Sequence, residues 1–422
     1  MNKLKLGLFD DGSLYTVHDK SPHLITLAPT GKGKGQAHVI PNLWEYGGGV
    51  FCVDVKGDNY AKTRKQRQRI TPNRVFKFDP MDLDNSATYN PLDFIKRDYL
   101  DRWAGCKRLA KMVCVPDRNG YFEDAARDLL TAVFDYLLLL EEAGAIQNPN
   151  MQQVCETVAR IGLEKGRQEQ ERSGGSKSTL EMMMSLKGNS PQLHQVASGF
   201  EGMADRQFSG VIGTLDSSLS PWRSPRVEAI TGKTSKGWIP SKLKENPASI
   251  FICVPAESIF EYASILRVMI GQHIEGIMQK LMVRGVEEPF LFLLDEFPLL
   301  RYLESIETGL KLGRDYGVRL WMLAQDMGQI KQHWPNPEGI LAACDTKAFM
   351  NVNDPNTARY VASLIPEQRS PLTGQSKPML KAQELMLPKW EDKVLVLRDN
   401  NMPTILTKRM AYDMERKGQV PN

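Results

Sequence analysis

Short apolar segments alternate along the chain with longer segments whose apolar residues recur at helical spacing. A short apolar run predicts a buried strand, whereas recurrence every three or four residues predicts a helix. We predict strands at residues 23–27, 50–55, 75–78, 249–254, 290–294, 319–323, 347–351, 393–397 and 404–408. Helices are predicted between them at residues 36–46, 259–283 and 306–316. This alternation indicates an α/β fold with a mostly parallel sheet that is covered on both faces.

A long segment without strand signals interrupts the alternation. Its clearest helical spacing is the series Ala125, Leu129, Ala132, Val133, Tyr136 and Leu140. A second helix is predicted at residues 151–161, and the charged, Ser- and Gly-rich residues 164–177 predict a mobile loop. We therefore predict an all-helical inserted domain at residues 93–222, with the α/β domain formed by residues 1–92 and 223–422. An insertion is tolerated when its two ends lie close together at the surface.

The first predicted strand runs into a segment rich in glycine and lysine. A phosphate-binding loop needs glycines that let backbone N–H groups face phosphate oxygens, a helix N-terminus behind them and a lysine. Lys34 is the candidate lysine, and the usual pattern is Gly-x-x-x-x-Gly-Lys-Ser/Thr. Here Ala28 replaces the first glycine, and Gly35 replaces the hydroxyl residue that would hold Mg²⁺. The predicted nucleotide-contacting residues are Thr30, Gly31, Lys32, Gly33, Lys34, Gly35 and Gln36. The alternative is a turn rich in glycine and lysine.

A wholly apolar strand that ends in two acids, Asp295 and Glu296, supports the nucleotide interpretation. An acid in this position of a nucleoside triphosphatase holds Mg²⁺, directly or through water, and we assign that role to Asp295. Glu296 would polarise the attacking water as a general base. The alternative is a strand that ends in two solvated acids. We expect the loop and the acid pair to lie on neighbouring strand ends of one sheet.

Two further polar residues are candidates for contact with the terminal phosphate. Gln325 follows the strand predicted beside the acid pair, where it can touch both the γ-phosphate and water. Arg314 lies on the preceding helix, and in ring-shaped ATPases a neighbouring subunit supplies such an arginine to stabilise transition-state charge. Arg301 and Arg319 are competitors for that role. A surface glutamine and a surface salt bridge are the alternatives.

The segment after the second predicted strand offers another candidate, Asp54, together with Lys56. Either residue could reach the nucleotide or simply shape the turn, and the sequence leaves both possibilities open. The basic residues that follow could meet a phosphate backbone, although a solvated helix face is favoured. They are Lys62, Arg64, Lys65, Arg67 and Arg69.

Composition adds few restrictions. The chain has 422 residues, of which 41% are hydrophobic and 25% charged, with a net charge of +4 that neither demands nor excludes a polyanionic partner. That length is enough for two packed units. Six scattered cysteines without a CxxC pair predict buried residues in a reducing cytosol. Neither a membrane-spanning segment nor a signal peptide is recognisable, so we expect a soluble cytoplasmic protein.

Taken in order, these motifs resemble the coupling-protein ATPases of type IV secretion and conjugation, over nearly the whole chain. Each motif is weak alone, but the ordered set is specific. The matching segments begin with Ala28-Pro29-Thr30, Gly33-Lys34-Gly35, Val39-Ile40-Pro41-Asn42-Leu43, Val53-Asp54-Val55-Lys56-Gly57-Asp58-Asn59-Tyr60 and Tyr89-Asn90-Pro91-Leu92. They continue with Ser217-Ser218-Leu219, Ser224-Pro225, Leu293-Leu294-Asp295-Glu296-Phe297, Gly313-Arg314-Asp315-Tyr316-Gly317-Val318 and Ala324-Gln325-Asp326.

The resemblance implies a RecA-like motor domain with an all-helical insert, arranged as a homo-hexameric ring with nucleotide at subunit interfaces. It implies ATP and Mg²⁺ as ligands and DNA-stimulated ATP hydrolysis. It also implies recruitment of a relaxase–DNA complex, with single-stranded DNA, or of protein substrates to the type IV secretion channel. Arg314 receives the trans-arginine role and Gln325 the γ-phosphate-sensing role. The loop often ends in Gly-Lys-Gly in this family, which accounts for Gly35.

One departure is that family members usually begin with membrane-spanning helices. The chain is therefore expected to be a soluble fragment, or a naturally anchorless member that docks onto a membrane partner at the inner face of the cell membrane. Two other functions remain open. One is a DNA-pumping or pilus-assembly translocase, and the other is a nucleotide-gated adaptor that binds secreted proteins and hydrolyses little ATP.

Overall fold

The computed structural model describes residues 3–17, 23–55, 57–115, 120–166, 177–283, 285–369, 376–398 and 402–420. The chain forms two compact units. The first comprises Met1–Lys77, Pro240–Phe260 and Ile274–Asn422, and the second comprises Phe78–Ile239 and Glu261–His273. The boundaries predicted for an inserted domain stay a prediction.

The first unit is built on an eleven-stranded sheet in the order β2-β1-β13-β12-β9-β3-β8-β7-β4-β6-β5. The bounds of the strands, in chain order from β1 to β13, are Leu4–Leu8, Leu14–Val17, Leu24–Leu27, Val50–Asp54, Val75–Phe78, Ser249–Cys253, Phe290–Leu294, Val318–Ala324, Thr346–Phe349, Glu367–Arg369, Ser376–Pro378, Lys393–Arg398 and Thr404–Thr407. Six central neighbours, from β9 to β6 in the sheet order, are parallel. Strands β12, β13, β1 and β2 extend the sheet in antiparallel pairs. Strands β10 and β11 form a separate hairpin.

The central strands are the most buried part of the first unit. Every residue of β3, β4, β6, β7 and β8 is buried. A strand that is buried on both faces is apolar throughout, which is why these strands were recognisable in the sequence. All nine predicted strands are confirmed. The N-terminal hairpin of β1 and β2 was missed, because Lys5, Gly7 and a four-residue second strand leave only a weak apolar pattern.

Helices fill the connections between the strands. Their bounds, in chain order from α1 to α16, are Ile40–Glu45, Asp58–Ile70, Tyr99–Val113, Tyr121–Glu142, Met151–Lys165, Thr179–Ser185, Pro191–Glu201, Asp205–Leu219, Pro225–Thr231, Ala263–Ile277, Glu304–Tyr316, Met327–His333, Pro337–Ala342, Pro355–Ser363, Ala382–Leu385 and Ala411–Arg416. Between residues 79 and 239, the described residues form helices and no strand. None of the described helices has the length and apolar character that a bilayer crossing requires.

Three predicted segments differ from the structure. The helix predicted at 36–46 begins as a π-helical turn, Gly35–Val39, before α1. The helix predicted at 259–283 is shorter, because α10 spans only Ala263–Ile277. Helix α5 continues to Lys165, so the predicted loop begins later. Residues 167–176 of that loop lie outside the described residues.

The interpretation of the basic residues on α2 as a solvated face is wrong for one of them, Arg67. Its guanidinium is buried and donates to Ser249 Oγ at 2.8 Å, to Gly48 O at 2.6 Å and to Tyr46 O. Burial lowers the pKa of Arg67 to about 10. The side chain therefore joins the backbone after α1 to β6, whereas Lys62, Arg64, Lys65 and Arg69 are exposed. The six cysteines are buried and free, as expected.

Candidate functional site

The glycine- and lysine-rich loop leaves the C-terminal end of β3. The Ala28 N–H donates to Ala324 O at 3.0 Å, so the loop starts against the end of β8. Gly31 and Gly33 have φ angles of +76° and +92°. Side chains disfavour that left-handed region, so both positions require glycine. Gly35 differs, because its φ is not in that region, and a Cβ placed there would meet nothing within 4 Å. Space alone therefore does not exclude the hydroxyl residue that is usual at this position.

The turn after Lys34 provides the helix start that a phosphate needs. The π-helical turn Gly35–Val39 is closed by the Ile40 N–H, which donates to Gly35 O. The first N–H groups of a helix have no intrahelical acceptor, and the helix dipole makes this end electropositive. Anions are favoured at such a position. The backbone from Gly31 to Gln36 can thus act as an anion cradle.

Lys408 supports the loop from outside and was missed by sequence reasoning. Its ammonium donates to Lys32 O at 3.0 Å, to Glu391 O at 2.6 Å and to Asn351 Oδ1 at 2.5 Å. Burial lowers the pKa of Lys408, and the nearby charge of Lys32 adds to this effect. The Lys32 carbonyl therefore points toward the lysine at the end of β13. No local motif reveals a contact between residues so distant in the sequence.

A buried chain of hydrogen bonds holds the helix behind the loop. His38 Nε2 lies 3.0 Å from Leu6 O, and His38 Nδ1 lies 3.1 Å from Thr26 Oγ1. Because a carbonyl only accepts, Nε2 carries the proton and Nδ1 accepts from the hydroxyl. Thr26 Oγ1 in turn accepts from Trp321 Nε1 at 3.0 Å. Burial lowers the pKa of His38 to about 4, so the ring is neutral at physiological pH.

Lys34 and Glu296 form the central contact of the site. Lys34 Nζ donates to Glu296 Oε1 at 3.1 Å, and the exposed fractions of the two side chains are only 9% and 17%. The other carboxylate oxygen, Oε2, accepts from Gln325 Nε2 at 3.3 Å and from Gln329 Nε2 at 3.2 Å. The structure thus brings three predicted residues together and adds Gln329. The only signal for Gln329 in the sequence is that it is a polar residue shortly after Gln325.

The acid pair sits in a strained turn after β7. Glu296 has φ 52° and ψ 38°, in the left-handed region. A non-glycine residue there costs about 1–3 kcal/mol unless its surroundings hold it. The Glu296 N–H donates to Asp295 Oδ1 at 3.1 Å. Burial raises the pKa of Asp295 to about 6, with a further contribution from the charge of Glu296, while Lys34 opposes the shift.

The expectation of neighbouring strand ends was wrong in one respect. Strand β8 lies between β3, which leads into the loop, and β7, which leads into the acid pair. All three strands are parallel, so their C-terminal ends share one edge of the sheet. Side chains as long as Lys34 and Glu296 span the gap. The intervening strand delivers Gln325 between them, as the prediction for that residue required.

Asp54 lies at the C-terminal end of β4 on the same edge. Its Oδ2 accepts from the Tyr60 N–H at 2.8 Å, which supports the start of α2. This contact shows that the Asp54 carboxylate shapes the turn, and contact between Asp54 and nucleotide stays a prediction. Lys56 lies outside the described residues.

Arg314 lies at the opposite edge of the sheet. It is exposed in the last turn of α11, just before β8 begins. Strand β8 has seven residues, which corresponds to about 20 Å between the two edges. Arg314 therefore does not reach the Lys34 site of its own chain across the sheet. Of its competitors, Arg319 is buried at the start of β8.

The residues present fit a nucleotide with Mg²⁺. Among the described residues, no group of three or more His, Cys, Asp or Glu side chains could hold a metal ion. Mg²⁺ commonly binds through one or two carboxylates and completes its shell with phosphate oxygens and water. Asp295 can supply that carboxylate beside the anion cradle. With glycine at position 35, the loop lacks the side-chain hydroxyl that usually follows the lysine and holds the metal.

Comparison with known proteins gives a consistent result. The family described as Type IV secretory system Conjugative DNA transfer matches residues 3–419. The chain is 25% identical over 375 residues to the conjugal transfer protein TraG of Escherichia coli, covering 84% of this chain and 56% of TraG. It is 25% identical over 431 residues to VirD4 of Rhizobium rhizogenes, covering 95% of this chain and 60% of VirD4. The chain thus spans less than two thirds of these relatives.

A solved structure has the same fold. The plasmid coupling protein TrwB in complex with ADP and Mg²⁺ superposes with a TM-score of 0.67 at 15% identity, covering 96% of this chain and 89% of that one. The likeness confirms the predicted α/β architecture of the RecA-like type.

The raised pKa of Asp295 predicts that the difference in stability between the parent and Asp295→Asn depends on pH. Its carboxyl holds a proton up to about pH 6 in the folded chain, against a reference value of 3.8. Folding therefore opposes ionisation of Asp295. The resulting loss of folding stability develops as pH rises from about 4 to 6 and persists at higher pH. Without nucleotide or metal, Asp295→Asn should be more stable than the parent by roughly 1–3 kcal/mol near neutral pH.

Chemical denaturation at several pH values measures this difference. The advantage of Asp295→Asn should shrink toward about pH 4, while Asp84→Asn, at an exposed carboxylate, provides the matched control. A destabilised Asp295→Asn at neutral pH would contradict the explanation.

Proposed function

Since the chain belongs to the type IV secretory system conjugative DNA transfer family, we propose that it is an ATP-hydrolysing coupling protein. It recruits a relaxase–DNA complex, or a protein substrate, to a type IV secretion channel and helps to drive its transfer. The observation that carries the catalytic part is the 3.1 Å contact between Lys34 and Glu296. This contact joins the cradle for phosphate to the group that can activate water.

ATP and Mg²⁺ are the ligands that we propose for this site. The backbone of residues 30–36 surrounds the phosphates, and Lys34 offsets the charge of the β- and γ-phosphates. Bound Mg²⁺ supplies further positive charge there, and Asp295 is its protein ligand. The ADP and Mg²⁺ bound by TrwB support this choice of ligands.

Lys34 has two possible partners during the reaction that we propose. Without nucleotide, its ammonium binds Glu296 Oε1. Phosphate oxygens compete for the same ammonium, and Oε1 then becomes available to a water molecule. Glu296 accepts a proton from that water as its oxygen attacks the γ-phosphorus, and the bond to the leaving oxygen of ADP breaks. Gln325 lies at the end of β8, where it senses the γ-phosphate.

Arg314 acts in trans in this proposal. It is exposed at the sheet edge opposite Lys34, so it is available to the nucleotide of a neighbouring subunit. A homo-hexameric ring would place each Arg314 beside an adjacent site. There its charge stabilises the transferring phosphoryl group.

We propose that the protein acts at the cytoplasmic face of the inner membrane and is attached there through partner proteins or a separate anchor. Single-stranded DNA bound to relaxase is the proposed substrate. The relatives named for conjugal transfer support this assignment. The sequence also admitted a nucleotide-gated adaptor, which would hydrolyse ATP slowly whether or not DNA is present.

Steady-state ATP hydrolysis with and without single-stranded DNA tests the proposal. The parent should be stimulated by DNA, and stimulation should grow with protein concentration if subunits assemble. Lys34→Ala and Glu296→Gln should each reduce kcat by about 100-fold or more, because each removes a group that acts in the transition state.

The matched control is Lys236→Ala, at an exposed lysine of the second unit, which should keep parental activity. Full activity of Lys34→Ala would refute the site. Slow hydrolysis that DNA does not change would favour the adaptor.

Mixed assemblies test the trans role of Arg314. Arg314→Ala alone should hydrolyse ATP at least about 100-fold more slowly, because arginine fingers contribute strongly to kcat. Adding Glu296→Gln subunits, which keep Arg314, should restore part of the rate, since one subunit then supplies the arginine and the other the glutamate. The readout is kcat across mixing ratios, with each variant alone as control. Absence of any recovery in co-assembled rings would argue that Arg314 acts elsewhere.

A further inference from the structure

We propose that Gln329 is a positioning residue that fixes the direction of the Glu296 carboxylate for hydrolysis. The inference rests on the proposed ATPase function and concerns a residue for which no role was expected from the sequence. Gln329 lies in the first turn of α12, which follows β8. It reaches from that helix to the strained turn after β7.

The two ends of the Gln329 amide have different partners. Its Oε1 accepts from the Gln325 N–H at 3.0 Å, and its Nε2 donates to Glu296 Oε2 at 3.2 Å. Because a backbone N–H only donates, the first contact fixes which end of the amide is oxygen. The second end must then be the NH₂ group, which faces the carboxylate. Gln329 therefore links the end of β8 to the Glu296 side chain in one defined orientation.

The backbone that carries Gln329 is itself held in place. Asp326 Oδ1 accepts from the Gln329 N–H at 2.8 Å and caps α12. The Met327 N–H donates to Thr357 Oγ1 at 3.0 Å, and that hydroxyl donates to Asp354 Oδ2 at 2.7 Å. Helix α12 is thus tied to the start of α14 on its other side. With its backbone fixed in this way and its Oε1 bound to the Gln325 N–H, the Gln329 side chain is oriented toward Glu296.

The two oxygens of the Glu296 carboxylate have different partners, which explains why a second glutamine matters. Oε1 contacts Lys34, whereas Oε2 contacts Gln325 and Gln329. When Lys34 and Gln325 turn to the phosphates, both of those contacts with Glu296 are lost. Gln329 has no part in phosphate contact in this scheme and keeps its hold on Oε2. A neutral amide donor orients the carboxylate without cancelling its charge, so Oε1 stays directed at water.

The strained backbone of Glu296 adds to the need for such a contact. A left-handed glutamate can relax toward ordinary backbone angles unless neighbouring groups hold it. Relaxation would move the carboxylate, and a displacement of about 1 Å can cost roughly 100-fold in rate. Gln329 donates to this carboxylate from outside the turn, and so opposes that movement.

Paired kinetic measurements on α12 test the inference. Gln329→Met keeps the length and helix preference of the side chain but has neither an N–H to donate to Glu296 nor an amide oxygen to accept from the Gln325 N–H. Its kcat for ATP, with Mg²⁺ and single-stranded DNA, should fall about 10–100-fold, while KM should stay within about twofold. Gln332→Ala, an exposed glutamine on the same helix, is the matched control and should behave as the parent. Both variants should keep the parental Tm.

Each outcome decides between the hypotheses. A Gln329→Met variant with parental kcat, measured against an active parent, would overturn the role of Gln329 and leave the ATPase proposal intact. A joint fall of kcat, rise of KM and fall of Tm would also overturn it, because that pattern indicates a merely structural side chain. A parent that does not hydrolyse ATP under any of these conditions would refute the proposed function, and the inference with it.

Discussion

The ion pair between Lys34 and Glu296 is the interaction on which the candidate site depends. It joins two residues 262 positions apart in the chain and brings the loop after β3 into contact with the turn after β7. Its exposure is low, so the two charges are screened less than a surface pair would be. A lysine and a glutamate that hold each other in this way cannot both engage a phosphate and a water. In the proposed function, the pair is the resting arrangement, and a bound nucleotide replaces the contact between Lys34 and Glu296.

Hydrogen bonds from several distant segments hold the elements that carry these two side chains at the same edge of the sheet. His38 and Thr26 tie the helix behind the loop to β1 and β8, and Lys408 holds the outer carbonyl of the loop. On the other side of the pair, Gln329 donates to the Glu296 carboxylate. Thr26 and His38 are buried, Lys408 and Gln329 are half-buried, and all four have hydrogen-bond partners. A polar network whose members are all paired rigidifies a site. The site is thus fixed by contacts between distant segments.

The predictable features are those with a local cause. The central strands were recognised because burial on both faces makes them apolar throughout, and β5 and β7 match their predicted bounds. Lys34, Asp295 and Glu296 were proposed from the sequence because loop glycines and an acid pair after a strand have a chemical rationale, and their roles stay predictions. Lys408 and Gln329 were missed because their roles depend on tertiary contacts. Arg67 was misread because helical spacing alone does not show which cation of a basic series turns inward.

Nucleotide affinity of Glu296→Gln tests the central claim most directly, since binding of a non-hydrolysable ATP analogue does not depend on turnover. If Lys34 is shared between Glu296 and the phosphates, Glu296→Gln should bind the analogue more tightly, by about tenfold, because a charge-assisted contact no longer competes. In a Lys34→Met background the same substitution should have a much smaller effect. Equal or weaker binding by Glu296→Gln would contradict the account.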